Sequence, residues 1–221
     1  MVVIGTYVGF EPMIQQLMDM GVSRAKIDIS YIATTIKSPI MFLERIGQLF
    51  GERGIVGSVA EGGVFQGEFA KEINRVFPES TLYLFDTFTG FDARDVGIET
   101  SKRYSQSKPG HFNITSEELV LDKLLHPEKC VIRKGFFPET TKGINDSFCF
   151  VNLDFDLFQP ILAGLEFFVP RMIPGGGVLI DDYFADGYKG VKEAVKEYEV
   201  KYVNLHLVPI GDGNSICVHS K

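Results

Sequence analysis

The sequence predicts an α/β protein: a mostly parallel seven-stranded sheet with helices on both faces, closed by a C-terminal antiparallel hairpin. Three observations lead there. From about Ile55, short apolar runs alternate with amphipathic segments in the order strand, helix, strand, helix, the pattern of crossover units in a parallel sheet. Near the end, "VNLHLVPI" and "NSICVHS" flank a "GDG" turn and read as two closing strands. At 221 residues, with 45% hydrophobic and 23% charged residues, the chain suits one well-cored domain with a short appendage.

Taken in order, residues 1–52 form a first block. "VVIGTYVGF" is a short strand-like run. Met13, Ile14, Leu17, Met18 and Met20 then approximate an apolar helical stripe, and Gly21 is a stop signal. A second helix is predicted with Ser38 as N-cap and Pro39 in the first turn, presenting Ile40, Phe42, Leu43, Ile46, Leu49 and Phe50, and ending in "GERG". The main domain occupies 53–221. Strands are expected near 55–60, 81–86, 130–133, 148–154 and 177–181, and helices near 66–77, 116–126, 158–172 and 188–200. Thr87 to Thr115 breaks the rhythm. It is rich in Gly, Ser, Asp and Lys yet carries Phe88, Phe91, Tyr104, His111 and Phe112, so it reads as a lid or substrate loop.

The bulk numbers exclude several classes. A formal charge of −7 without a Lys/Arg cluster argues against nucleic acid or an anionic membrane as partner. No apolar run approaches the roughly 20 residues of a membrane span, and no basic segment precedes an apolar leader. Cys130, Cys149 and Cys217 lie far apart in apolar contexts and read as buried free thiols, which fits a reducing, cytoplasmic setting.

Chemistry concentrates at the strand exits, where open α/β sheets bind ligands. The first main-domain strand ends in "VAEGGVFQGEFA": Glu61 closes it, and Gly62 and Gly63 allow a tight turn with close backbone approach. The next, "LYLFD", ends in Asp86, placed to accept from the two hydroxyls of a ribose, as in sites for NAD or S-adenosylmethionine. The fourth, within "FVNLDFDLFQP", ends in Asp154 with Asp156 beyond, and the fifth, "GGGVLIDDY", ends in Asp181 and Asp182. If these two strands are neighbours, three or four carboxylates converge. Like charges that close do not all stay ionised without a cation, and an all-oxygen set favours Mg²⁺, Mn²⁺ or Ca²⁺. The bland alternative is that Asp156 and Asp181 cap the segments that follow.

"VAEGGVFQGEFAKEIN", "LYLFDTFTGF", "GFFPET", "FVNLDFDLFQPILAGLEFFVPRMIPGGGVLIDDY" and "GVKEAVKEY" occur in an order that resembles the TylF-like (macrocin O-methyltransferase) family over about 53–221. The resemblance implies a Rossmann-like class I methyltransferase fold. It also implies S-adenosylmethionine and Mg²⁺ (or Mn²⁺) as cofactors, and a small-molecule or saccharide acceptor; a homo-oligomer is compatible with it. Carried onto this chain, the cofactor-binding positions are Glu61 and Gly63 at the methionine part, Asp86 on the ribose, and Gly62, Thr87 and Gly135. Asp154, Asp181 and Asp182 are the implied metal ligands. Asp154 and Asp156 are the candidate catalytic pair, with Asp156 open between ligand, base and support. Family members often carry Cys in the strand-one turn where this chain has Gly63.

The implied reaction is methylation of a sugar hydroxyl. The alternative is a catalytically inactive nucleotide-binding module of a polysaccharide-assembly complex. A nicotinamide oxidoreductase is disfavoured, since G-x-G-x-x-G is absent. Residues 1–52 lie outside the resemblance. They look like the last strand–helix unit of a small nucleotide-binding domain, as in a remnant of a longer architecture.

Overall fold

The computed structural model describes residues 1–4 and 10–220. Its centre is a seven-stranded sheet in the order β5-β4-β3-β6-β7-β9-β8. The strands are β3 (Ser58–Gly62), β4 (Leu82–Asp86), β5 (Cys130–Lys134), β6 (Phe148–Leu153), β7 (Met172–Ile180), β8 (Leu207–Pro209) and β9 (Ile216–His219). β3 through β7 pair in parallel, whereas β9 runs antiparallel to both β7 and β8. The predicted mostly parallel sheet with its closing hairpin is therefore the observed one. The order reverses at β3, which lies between β4 and β6, so the switch point falls where the glycine turn and the acidic strand ends meet.

Side-chain alternation along the strands divides the core in two. Val59, Leu82, Leu84 and Phe150 face α2 (Ser30–Arg53), α3 (Glu68–Val76) and α5 (Glu117–Leu121). Ala60, Phe85, Val151, Leu153, Val178 and Ile180 face α6 (Phe158–Phe168) and α7 (Lys189–Lys201). This second layer is strongly aromatic. Phe168 meets Phe85 and Phe148 edge-on, with ring centroids 5.8 and 5.1 Å apart.

The N-terminal block differs from expectation in detail. β1 (Val2–Val3) pairs in parallel with β2 (Ile27–Asp28), a strand the sequence did not signal, across α1 (Phe10–Asp19). The rest of the predicted first run, residues 5–9, lies outside the described residues. Ile14 and Leu17 pack on a small core of Ile4 and Ile27, but Met13, Met18 and Met20 are exposed, so the stripe is narrower than predicted. Helix α2 begins at Ser30, so Ser38 is not its N-cap. Pro39 forfeits one backbone hydrogen bond and the helix continues through it. Gly54, left-handed at φ 63°, ends it as the "GERG" run predicted. Leu43 and Phe50 are buried, whereas Leu49 is exposed.

The predicted lid contains a helix that the sequence reading missed, α4 (Ala93–Lys102). Its buried side includes Asp95 and Glu99 beside Val96, and two acids facing inward erase the apolar periodicity that would have revealed it. The N-cap was legible in retrospect, since the Asp92 side chain accepts from the Arg94 amide at 2.8 Å. Cys149 and Cys217 are buried free thiols as expected, whereas Cys130 is only half-buried. Among the described residues no helix is long and apolar enough to cross a membrane.

Candidate active site

A cavity of about 620 Å³ opens at the carboxyl ends of the parallel strands. Glu61, Gly63, Asp86, Thr87 and Gly135 line it, and so do Asp154, Asp156 and Asp181. Of the sequence-predicted residues, Gly62 and Asp182 are outside its lining; the volume is within the size range of small-molecule sites.

The β3 exit approaches the β6 exit closely. Gly63 has φ +81°, and a Cβ there would lie 1.9 Å from the Asp154 carbonyl oxygen, so no other residue fits without moving backbone. Gly62 does not line the cavity; it lies under the Phe155 ring, 2.2 Å from where its own Cβ would stand. The role of Gly62 is therefore packing beneath the site.

Glu61 is 1% exposed. Its Oε1 accepts from Asn152 Nδ2 at 3.0 Å, while Oε2 has no partner. Burial pushes this carboxyl up to about 8, the Asn152 bond opposes the shift, and the charges of Asp86 and Asp181 add to it. Folded protein therefore holds this proton where the unfolded chain has lost it, and stability falls as pH rises from about 4.5 towards 8. Glu61→Gln is expected to make that fall shallower by several kcal/mol over the interval. Thermal melting of wild type and variant between these limits measures it; identical slopes would contradict a proton held at Glu61.

Asp86 is already occupied. Oδ2 accepts from the amides of Val64 and Phe65 at 2.8 and 2.9 Å, and Oδ1 from Phe88 at 2.7 Å. A carboxylate offers about four acceptor positions, so one remains, on Oδ1. These three amides make Asp86 a structural tie between two loops, with the fourth position left for a ligand donor. Thr87 is similarly engaged, donating its hydroxyl proton to Gly90 O at 2.7 Å, and the Gly135 amide donates to Asp86 O at 2.9 Å. Asp86→Ala strands three amides and should lower stability by about 1–3 kcal/mol as well as weakening any nucleoside ligand. Denaturant melts and calorimetry read the two effects separately.

The neighbouring positions of β6 and β7 bring the acids together as the sequence argument required. Burial pushes the Asp154 carboxyl well above the usual range, and Asp181, Asp156 and Asp182 add to the shift in that order. Asp156, left-handed at φ 61°, is raised by burial and then by its neighbour Asp182. Asp181 is pushed up to about 6 by the same causes, burial first and Asp182 next. Three of the set are thus held in competition for ionisation.

The C-terminal hairpin supplies donors to this cluster, a contribution missed in the sequence. Asn214 Nδ2 donates to Asp181 Oδ1 at 3.1 Å and Asp182 Oδ1 at 3.0 Å. Ser215 Oγ lies 2.6 Å from both Asp181 Oδ1 and Asp212 Oδ2. With Asp181 and Asp182 turned to these donors, no group of three or more His, Cys, Asp or Glu among the described residues is arranged to hold an ion. The metal-ligand set implied by resemblance is not assembled in this arrangement. Oxygen donors with mutually repelling charges nevertheless fit a hard divalent cation chemically.

The strand order, with a final antiparallel hairpin and a cavity at the switch point, is that of class I methyltransferases. NovP, an O-methyltransferase of solved structure, superposes with a TM-score of 0.67 at 22% identity, over 83% of this chain and 80% of NovP. CalS11, described as a TDP-rhamnose 3'-O-methyltransferase of calicheamicin biosynthesis, gives 0.57 at 17% identity over 97% and 88% of the two chains. These likenesses establish the fold. A Streptomyces olivaceus relative, 8-demethyl-8-(2,3-dimethoxy-alpha-L-rhamnosyl)-tetracenomycin-C 4'-O-methyltransferase, is 36% identical over 69 residues, which span 31% of this chain and 25% of the relative. Residues 41–214 match the Macrocin-O-methyltransferase (TylF) family, and the chain belongs to it.

Proposed function

We propose that this chain transfers the methyl group of S-adenosylmethionine to a hydroxyl of a sugar, carried on a nucleotide or on a glycosylated natural product. One observation carries the reading: a single cavity is lined both by the cofactor candidates Glu61, Asp86 and Gly135 and by the carboxylates Asp154 and Asp156. Two relatives with printed sugar activities, on a rhamnosyl group and on TDP-rhamnose, support the acceptor class.

The unpartnered Glu61 Oε2 suits the α-ammonium of the methionine part, and the remaining Asp86 Oδ1 position suits one ribose hydroxyl. The sugar oxygen attacks the methyl carbon in line with sulfur: the new O–C bond forms, the C–S bond breaks, and S-adenosylhomocysteine leaves. The hydroxyl proton goes to the Asp154–Asp156 pair, whose raised proton affinity makes it a stronger base than a solvated carboxylate. Asp154, Asp181 and Asp182 are the residues that would hold Mg²⁺ or Mn²⁺, which would supply Lewis-acid polarisation at the acceptor. The cavity walls hold donor and acceptor in register and keep out water.

The test is methyl-labelled S-adenosylmethionine incubated with TDP-L-rhamnose, other nucleotide sugars and rhamnosylated aromatic compounds, in Mg²⁺, in Mn²⁺ and in EDTA. Label in a sugar product supports the reading, and dependence on added cation supports the metal set. Tight cofactor binding with no transfer to any sugar class would favour the inactive nucleotide-binding module.

A further inference from the structure

We infer that Asp95 recognises the adenine base of the cofactor at its amino edge, a subsite assignment that rests on the S-adenosylmethionine reading above. Asp95 is the third residue of α4. A carboxylate there commonly reaches back to the N-cap amide to complete a capping box. Here Asp95 Oδ1 has no hydrogen-bond partner although the residue is only 7% exposed, and Asp95 lines the cavity. An orphaned acceptor in such a place is unfavourable, and a ligand donor removes that penalty.

Its position says which part of the ligand. The Gly135 amide bonds to Asp86 O, so the β5 exit adjoins the acid that serves the ribose. The next residue, Phe136, carries the Arg94 guanidinium 3.4 Å above its ring, and Arg94 is tied to Asp92 and Glu139. These contacts clamp the first turn of α4 over the β5 exit. Phe91, Phe136 and Pro160 supply apolar lining to the same cavity, suited to the faces of a planar base. Asp95, next in sequence to Arg94, thus stands at the β5 exit beside the acid that serves the ribose, where the base lies.

The chemistry matches. Adenine presents an amino donor beside a ring-nitrogen acceptor. Burial, with Asp92 next, pushes the Asp95 carboxyl up to about 7, so near neutrality it can accept from the amino group and, when protonated, also donate to the ring nitrogen.

The experiment is calorimetric titration of S-adenosylhomocysteine, and of its analogue with purine in place of adenine, into wild type, Asp95→Ala and Asp95→Asn. Wild type is expected to prefer the adenine ligand by roughly 10–100-fold, the worth of one hydrogen bond involving a charged group. In Asp95→Ala that ratio should fall close to one, and Asp95→Asn, which keeps an acceptor, should restore part of it. A wild type that binds both ligands equally overturns the assignment. So does an Asp95→Ala protein that keeps the preference, and if it also binds TDP-L-rhamnose more weakly, the carboxyl belongs to the acceptor instead. A wild type that binds neither ligand strikes the S-adenosylmethionine reading itself, a failure distinct from the others.

Discussion

Asp154→Asn is expected to lower kcat for sugar methylation by about 10²–10⁴-fold, the usual worth of a positioned general base, while raising the melting temperature. The two effects have one cause. Asp154 is crowded by Asp181, Asp156 and Asp182 and buried, so its negative charge is unfavourable in the folded state. The amide removes that charge and relieves the cluster, but it cannot take the proton of the acceptor hydroxyl. The sign with pH follows. A carboxyl raised above its unfolded value destabilises as pH rises through the interval between the two, so the gain in Asp154→Asn should grow from acid towards neutral pH. Differential scanning across that range, with turnover of a methylated sugar, reads both. A variant less stable than wild type at neutral pH would mean that the acids are structural ties rather than a strained reactive cluster.

Gly63→Ala should be the most damaging single change. Left-handed backbone costs a non-glycine residue about 1–2 kcal/mol, and overpacking typically adds about 1–3 kcal/mol. Here the added methyl would meet a backbone oxygen, Asp154 O at 1.9 Å, which cannot rotate away as a side chain can. The expected melting temperature is roughly 5–15 °C lower, from the usual conversion for a domain of this size. Cofactor affinity should fall too, since relief requires the β3 and β6 exits to separate, and these carry Glu61 and Asp154, both of which line the cavity. Denaturant unfolding and calorimetry of one preparation separate the two losses. A Gly63→Ala protein with unchanged melting and binding would show that these loops are not packed as described.

The sheet was readable because its signal is local. Apolar strands, amphipathic helices such as α7 and the turn before β9 each announce themselves within about ten residues, and parallel neighbours follow from crossover rules. The acids were readable for the opposite reason: Asp154 and Asp156 violate the apolar pattern of β6, and a violated pattern points to function. Asp86 was found as a strand-end acid, but nothing in the sequence reveals that the Val64, Phe65 and Phe88 amides fold back onto it. Helix α4 was missed because Asp95 and Glu99 occupy its buried face. The ties from Asn214 and Ser215 to Asp181 span more than thirty residues of chain and exist only once β9 pairs with β7. Pro39 shows a local rule giving way, since a residue that usually opens a helix lies within α2.

The most direct test of the central claim is a calorimetric titration of S-adenosylmethionine into the wild-type protein and into Asp86→Ala and Glu61→Gln. The account predicts one site per chain, strongly weakened in Asp86→Ala and weakened in Glu61→Gln, which keeps the shape but cannot give up a proton to pair with the ammonium. No heat of binding to wild type, with or without Mg²⁺, would contradict the assignment of this cavity to the methyl donor.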